Sequence, residues 1–105
     1  MTADELKTLL AGTGLPVTYL SWPTSSAPAL PWIAFAERGT KNFEADGIVY
    51  YVIRAYSVAF CSKTKDAVNE AKIESVFKSH GIPWEKTTTH LDDEQVYETI
   101  YEIEV

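Results

Sequence analysis

The stretch Ile48 to Phe60, IVYYVIRAYSVAF, constrains this chain more than any other. It is built of aromatic, β-branched and small residues with a single charge, Arg54, and holds neither Gly nor Pro. Such a run favours a strand, because branched and aromatic side chains pack well on a pleated surface. Alternate residues of a strand point to opposite faces. One face therefore carries Ile48, Tyr50, Val52, Arg54, Tyr56, Val58 and Phe60, and the other Val49, Tyr51, Ile53, Ala55, Ser57, Ala59 and Cys61. Both faces are apolar, so both are expected to be covered. The helices of so small a sheet cover one face only, which leaves the other for a second subunit. Tyr50, Val52, Arg54, Tyr56 and Val58 are the candidate subunit interface. Arg54 has two readings: a bidentate partner for a carboxylate across the sheet or between subunits, or an edge residue whose head reaches water.

The rest of the chain supplies the neighbours of that strand. Thr2 followed by Glu5 is a capping box that starts a short helix, with Leu6, Leu9 and Leu10 on one side and Gly12 or Gly14 at its end. LPVTYLSW suits a short first strand, and the segment from Trp22 to Pro31, punctuated by Pro23, Pro28 and Pro31, reads as a loop. WIAFAE is a second strand. Arg38 to Gly47 reads as a polar connection that closes on the turn dipeptide Asp46-Gly47. A second helix is capped by Thr64 or Asp66, presents Ile73, Val76, Phe77 and His80 on one face, and ends at Gly81 ahead of Pro83. A terminal hairpin runs from Trp84 to about His90, turns through Asp92 and Asp93, and returns from Val96 to Val105. The expectation is a single α+β domain over residues 1–105. Its small, mainly antiparallel or mixed sheet carries two helices packed on one face, in the order α-β-β-β-α-β-β.

Charge narrows the partners. A net charge of -6 opposes a surface built to neutralise phosphates, so sequence-specific nucleic-acid binding is not expected. The N-terminal MTADELKTLL carries acids where a secretory leader carries bases, and no apolar run reaches membrane-spanning length, so no membrane segment is expected. The lone Cys61 forms no internal disulfide and reads as a small apolar filler at a strand end rather than a catalytic thiol.

Few residues invite chemistry. His90 beside Asp92, Asp93 and Glu94 is the one cluster with acid-base or metal potential, set against the plainer reading of a solvated turn. His80 suits a helix C-terminus, where the dipole favours a cation and the ring packs on the apolar face. Neither a nucleophile motif nor a phosphate-binding glycine loop is present. No enzyme activity, cofactor or metal is expected. Glu98, Glu102 and Glu104 share one face of the last strand, opposite Tyr101, Ile103 and Val105. That candidate acidic face is either simply solvated or lines a passage that repels a polyanion.

The segments NFEADGIVYY (Asn42 to Tyr51), HGIPWEK (His80 to Lys86) and the tyrosine-rich end from Tyr97 to Val105 resemble small head-tail module proteins of tailed phages and prophages of Gram-positive bacteria. The chain is similar over nearly its whole length to tail terminator, or tail completion, proteins of phages with long flexible tails. The resemblance implies an α+β subunit that assembles with itself into a ring, as a hexamer. That ring would stop the polymerising major tail tube protein and join it to the head-completion or connector protein. It also implies a place in the host cytoplasm during assembly and then in the virion neck or tail. Three readings stand beside it: another neck, or head-completion, component of the same module; a small acidic inhibitor or DNA mimic that binds a basic partner; and an enzyme that uses His90.

Overall fold

The computed structural model describes residues 1–23, 27–45 and 48–105, with side chains described outside 41–51. Helix α1 (Ala3–Ala11) begins at the expected box: the Glu5 amide donates to Thr2 Oγ1 at 3.2 Å and the Thr2 amide to Glu5 Oε1 at 3.1 Å. Leu6 and Leu10 are its buried residues, and it stops at Gly12. Helix α2 (Ala67–Ser79) is capped by Asp66, whose Oδ1 accepts from the Asn69 amide at 3.1 Å. It ends at Gly81, with φ +68, where the Ile82 amide donates to the Phe77 carbonyl at 2.9 Å and the Gly81 amide to Lys78 at 3.1 Å. This pair of bonds satisfies carbonyls left over at the helix end. Because Phe77 and Ile82 are both in the core, the same turn anchors α2.

Among the described residues, five strands form one mixed sheet: β1 (Val17–Tyr19), β2 (Trp32–Ala45), β3 (Ile48–Ser62), β4 (Glu85–Leu91) and β5 (Val96–Glu104). Their spatial order is β1-β2-β3-β5-β4, with β1 parallel to β2 and every other pair antiparallel. The sequence order α-β-β-β-α-β-β is the expected one, and both helices lie on one face of the sheet.

Cross-strand register explains the core. Ile33 lies opposite Phe60, Phe35 opposite Val58, Val58 opposite Tyr101 and Tyr56 opposite Ile103, so these residues share the face that Leu6, Leu10, Ile73 and Phe77 cover. Tyr101 meets Phe77 edge to face at 5.7 Å between ring centres. Tyr56 is wholly buried yet satisfies its hydroxyl by donating to the Met1 carbonyl at 2.9 Å.

Two elements depart from expectation. β1 is shorter than LPVTYLSW suggests, ending at Tyr19, because Leu20 turns into the left-handed region (φ +69) while its amide donates to the Phe35 carbonyl at 2.7 Å. The polar stretch expected to be a connection from Arg38 is strand instead: β2 runs on to Ala45, with Thr40 paired to Arg54 and Asn42 to Val52. Local propensity is weak there, and the long β3 supplies the ladder that holds it. A register shift between Glu37 and Gly39 makes Arg38 a bulge, which bends the strand and adds twist. The expected Asp46-Gly47 turn lies outside the described residues.

The consequence is a projecting arm. β5 pairs with β3 only from Ala55 to Ser62, and β1 with β2 only from Ile33 to Phe35. Thr40–Ala45 and Ile48–Arg54 therefore form a two-stranded ribbon beyond the five-stranded body. The chain is accordingly elongated, 50 Å in its longest extent against 28 and 24 Å.

Candidate assembly surfaces

The expected interface on β3 is divided by the end of the helical layer. Tyr56 and Val58 are 0% exposed within the subunit, so they belong to its own core and are not available to a second copy. This corrects the expectation: the face they occupy is the helix-covered one, and α1 and α2 use it up. Farther along the same face, beyond the helices, Val52 is 43% exposed and Arg54 half-buried. The side chain of Tyr50 lies outside those described. The charge of Arg54 adds to the Thr2 hydrogen bonds that hold the Glu5 carboxyl below its ordinary range. The helix-free face of the body, in turn, is not apolar in bulk. Its β3 residues Ala55, Ser57 and Ala59 are small and lie opposite Glu104, Glu102 and Ile100.

That helix-free face is the acidic one. Glu102 and Glu104 are exposed and Glu98 half-buried, while Tyr101 and Ile103 are buried on the other side, as alternation requires. β4 adds Glu85, which lies opposite Glu102. Arg38 reaches in from the bulge, placing Nη1 2.5 Å from Glu102 and donating to Ser57 Oγ at 3.4 Å. Both side chains of this ion pair are about half exposed (48% and 50%), so water screens it and it holds little energy. Arg38, Trp84, Glu85, Glu102 and Glu104 line a shallow groove there. A sequence reading that places Arg38 in a loop has no means of finding this pair.

A second feature invisible to the sequence is the polar clamp between α2 and the terminal hairpin. Glu70 is 3% exposed and takes Lys65 Nζ at 2.6 Å and Lys86 Nζ at 3.4 Å. Lys86 also donates to Glu74 at 3.0 Å, and the Tyr101 hydroxyl donates to Glu74 at 2.8 Å. Burial alone would raise the Glu74 carboxyl, but hydrogen bonds from Lys86 and Tyr101 outweigh it and hold the group below its usual value. The Lys86 ammonium is held above its usual value, chiefly by the Glu74 hydrogen bond. Burial and the Glu74 carboxylate together push the Tyr101 phenol far up.

The candidate chemical residues are dispersed. His90 lies on β4 with Nδ1 2.7 Å from Asp92 Oδ1 and its ring 4.6 Å from Tyr97, while Asp92, Asp93 and Glu94 are exposed in the turn. Among the described residues, no three His, Cys, Asp or Glu side chains converge as a metal site. His80 is exposed, with Nδ1 3.0 Å from the Val76 carbonyl, and does not pack on the apolar face as its spacing suggests. Cys61 is buried at the end of β3, where desolvation first and then Glu98 and Glu94 push its thiol up to about 11. The neutral thiol is a packing group at ordinary pH.

No known protein family matches the chain, and no curated protein sequence matches it. Among the described residues, no helix is long and apolar enough to cross a membrane.

Proposed function

We propose that this chain is a structural subunit of a phage or prophage head-tail module, a tail terminator that forms a ring on the head-proximal end of the tail tube. The ring binds the last turn of the major tail tube protein on one side and the head-completion or connector protein on the other. By the resemblance the ring is a hexamer. It works mechanically, without a cofactor, in the host cytoplasm during assembly and then in the neck of the virion. The segments NFEADGIVYY, HGIPWEK and the closing tyrosine-rich strand support this reading on the sequence side.

The observation that carries it is the arm. A two-stranded ribbon has no core of its own and is marginally stable alone, so a ribbon projecting past its own helices is suited to contact with another chain. The acidic helix-free face fits the same role, since negative charge lining a passage repels DNA electrostatically. The test is negative-stain imaging of the purified protein mixed with self-assembling tail-tube protein from the same genome. Shortened tubes with added density at one end are the expected result; tubes of unchanged length and bare ends refute it.

The acidic face also favours a second reading, an inhibitor that mimics DNA and binds a basic protein. That reading requires a monomer or dimer whose affinity for a cationic partner falls steeply with salt.

A further inference from the structure

A ring needs a contact that repeats head to tail, and among the described residues the sheet leaves edges open on both sides: β4 and the arm part of β3 on one, β1 and the arm part of β2 on the other. Two of these, on opposite sides, match each other. One is β4, the last strand in the spatial order, paired with β5 on one side only. Its register runs without a break from Glu85 opposite Glu102 to Leu91 opposite Val96. Natural edge strands are blunted by proline, bulges, short length or a guarding lysine. β4 is seven residues long, holds no proline, and turns its one lysine, Lys86, inward to Glu74 and Glu70. Thr87, Thr88 and Thr89, all exposed and β-branched, suit a further pairing.

The other edge is the outer side of β2 along the arm. β1 pairs with β2 as far as Phe35, and the Glu37 amide finds the Tyr19 hydroxyl at 3.4 Å. From Gly39 to Ala45, among the described residues, no strand pairs with that side. This open stretch matches β4 in length. The two also match in direction. β3 is antiparallel to β2, β5 to β3 and β4 to β5, so β4 runs opposite to β2. A sheet continued from β4 of one copy onto β2 of the next is antiparallel, the slightly stronger of the two ladders.

We infer that these edges meet in the assembled protein: β4 of one copy pairs with the Gly39–Ala45 stretch of the next. This deepens the proposal of a ring and rests on it. The ladder gives the arm the third strand that a marginal ribbon lacks. Two different surfaces are joined, so the contact is heterologous and propagates around a ring rather than stopping at a two-fold dimer. Because the arm lies beyond the body, each copy is displaced along the strands relative to its neighbour, the stagger that a closed sheet requires.

The experiment uses two variants that each lose one edge. In the first, Lys41 to Ile53 is replaced by Asn-Gly, a two-residue turn joining the paired Thr40 and Arg54 and leaving the core residues untouched. In the second, Thr87→Pro and Thr88→Pro are made separately. Neighbouring amides point to opposite sides of a strand, so one of the two removes an outward donor and spares the β5 ladder; thermal melting selects it. Analytical ultracentrifugation and native mass spectrometry, over micromolar to millimolar protein, should find wild-type oligomers, each variant monomeric, and an equimolar mixture forming one heterodimer through the edge each has kept. A monomeric wild type throughout that range, variants that still assemble alone, or a mixture that stays monomeric overturns the inference. If the arm-shortened variant still caps tail tubes, edge pairing fails and the terminator reading stands. If the mixture dimerises while wild type caps no tubes, the terminator reading fails and edge pairing stands.

Discussion

Replacing Tyr101 by Phe removes one oxygen from the clamp between α2 and the terminal hairpin. Tyr101 is 0% exposed, and its hydroxyl donates to Glu74 Oε2 at 2.8 Å. The ring packing against Phe77 survives the change, and no cavity opens on the apolar side. A hydrogen bond to a charged acceptor contributes about 1.5–3 kcal/mol. The Glu74 side chain is 26% exposed and keeps Lys86 at 3.0 Å, so the lower end applies, about 1.5 kcal/mol. For a domain of this size that lowers Tm by about 6–12 °C, read by thermal melting and urea unfolding at pH 7. The sign with pH is set by the partner. The folded Glu74 carboxyl titrates below its ordinary 4.5, so its contribution is full above that value and is lost as pH falls through the lower folded value. The gap between wild type and Tyr101→Phe should therefore narrow as pH falls below 4.5. It should narrow again above pH 10: the folded phenol titrates above its ordinary 10.0, so the wild type loses that contribution as the unfolded chain deprotonates. A loss below about 0.5 kcal/mol at pH 7, or a gap that never narrows as pH falls from 7 to the acid unfolding limit, would show that the hydroxyl is served as well by water and that the clamp is not a clamp.

Gly81→Ala should cost about 1–2 kcal/mol by urea unfolding, because φ there is +68 and nothing within 4 Å of the added methyl offers a steric cause. Arg38→Ala should change stability by less than about 0.5 kcal/mol despite the short contact to Glu102, since both side chains are half exposed; a larger loss would mean that the bulge depends on the pair. Cys61, buried with its thiol raised to about 11, is about a thousandth thiolate at pH 8. A chromogenic disulfide reagent should label it only in denaturant, and rapid labelling of the native protein would contradict its place in the fold.

Local chemistry by itself determined the two helices and narrowed their ends to one or two candidate residues each. The Thr2–Glu5 box, the Asp66 cap and the Gly81 turn each depend on groups within a few residues of one another. Alternation likewise determined the two sides of β5, because burying Tyr101 and Ile103 forces Glu102 and Glu104 outward. The side of β3 that the helices take was a different matter: both faces of IVYYVIRAYSVAF read as apolar, and only the packing of Leu6, Leu10, Ile73 and Phe77 on Tyr56 and Val58 decided it. The length of β2 was decided the same way. Its polar half is a strand because Thr40 and Asn42 meet Arg54 and Val52, a pairing that exists only once β3 lies alongside. Arg38 beside Glu102, and Glu70 among Lys65 and Lys86, join residues that the chain brings together only across the finished sheet. Capping and alternation are short-range and are written in neighbouring residues. Pairing, and the open edges it leaves, depend on which strands compete for which partners, and the tertiary structure alone resolves that competition.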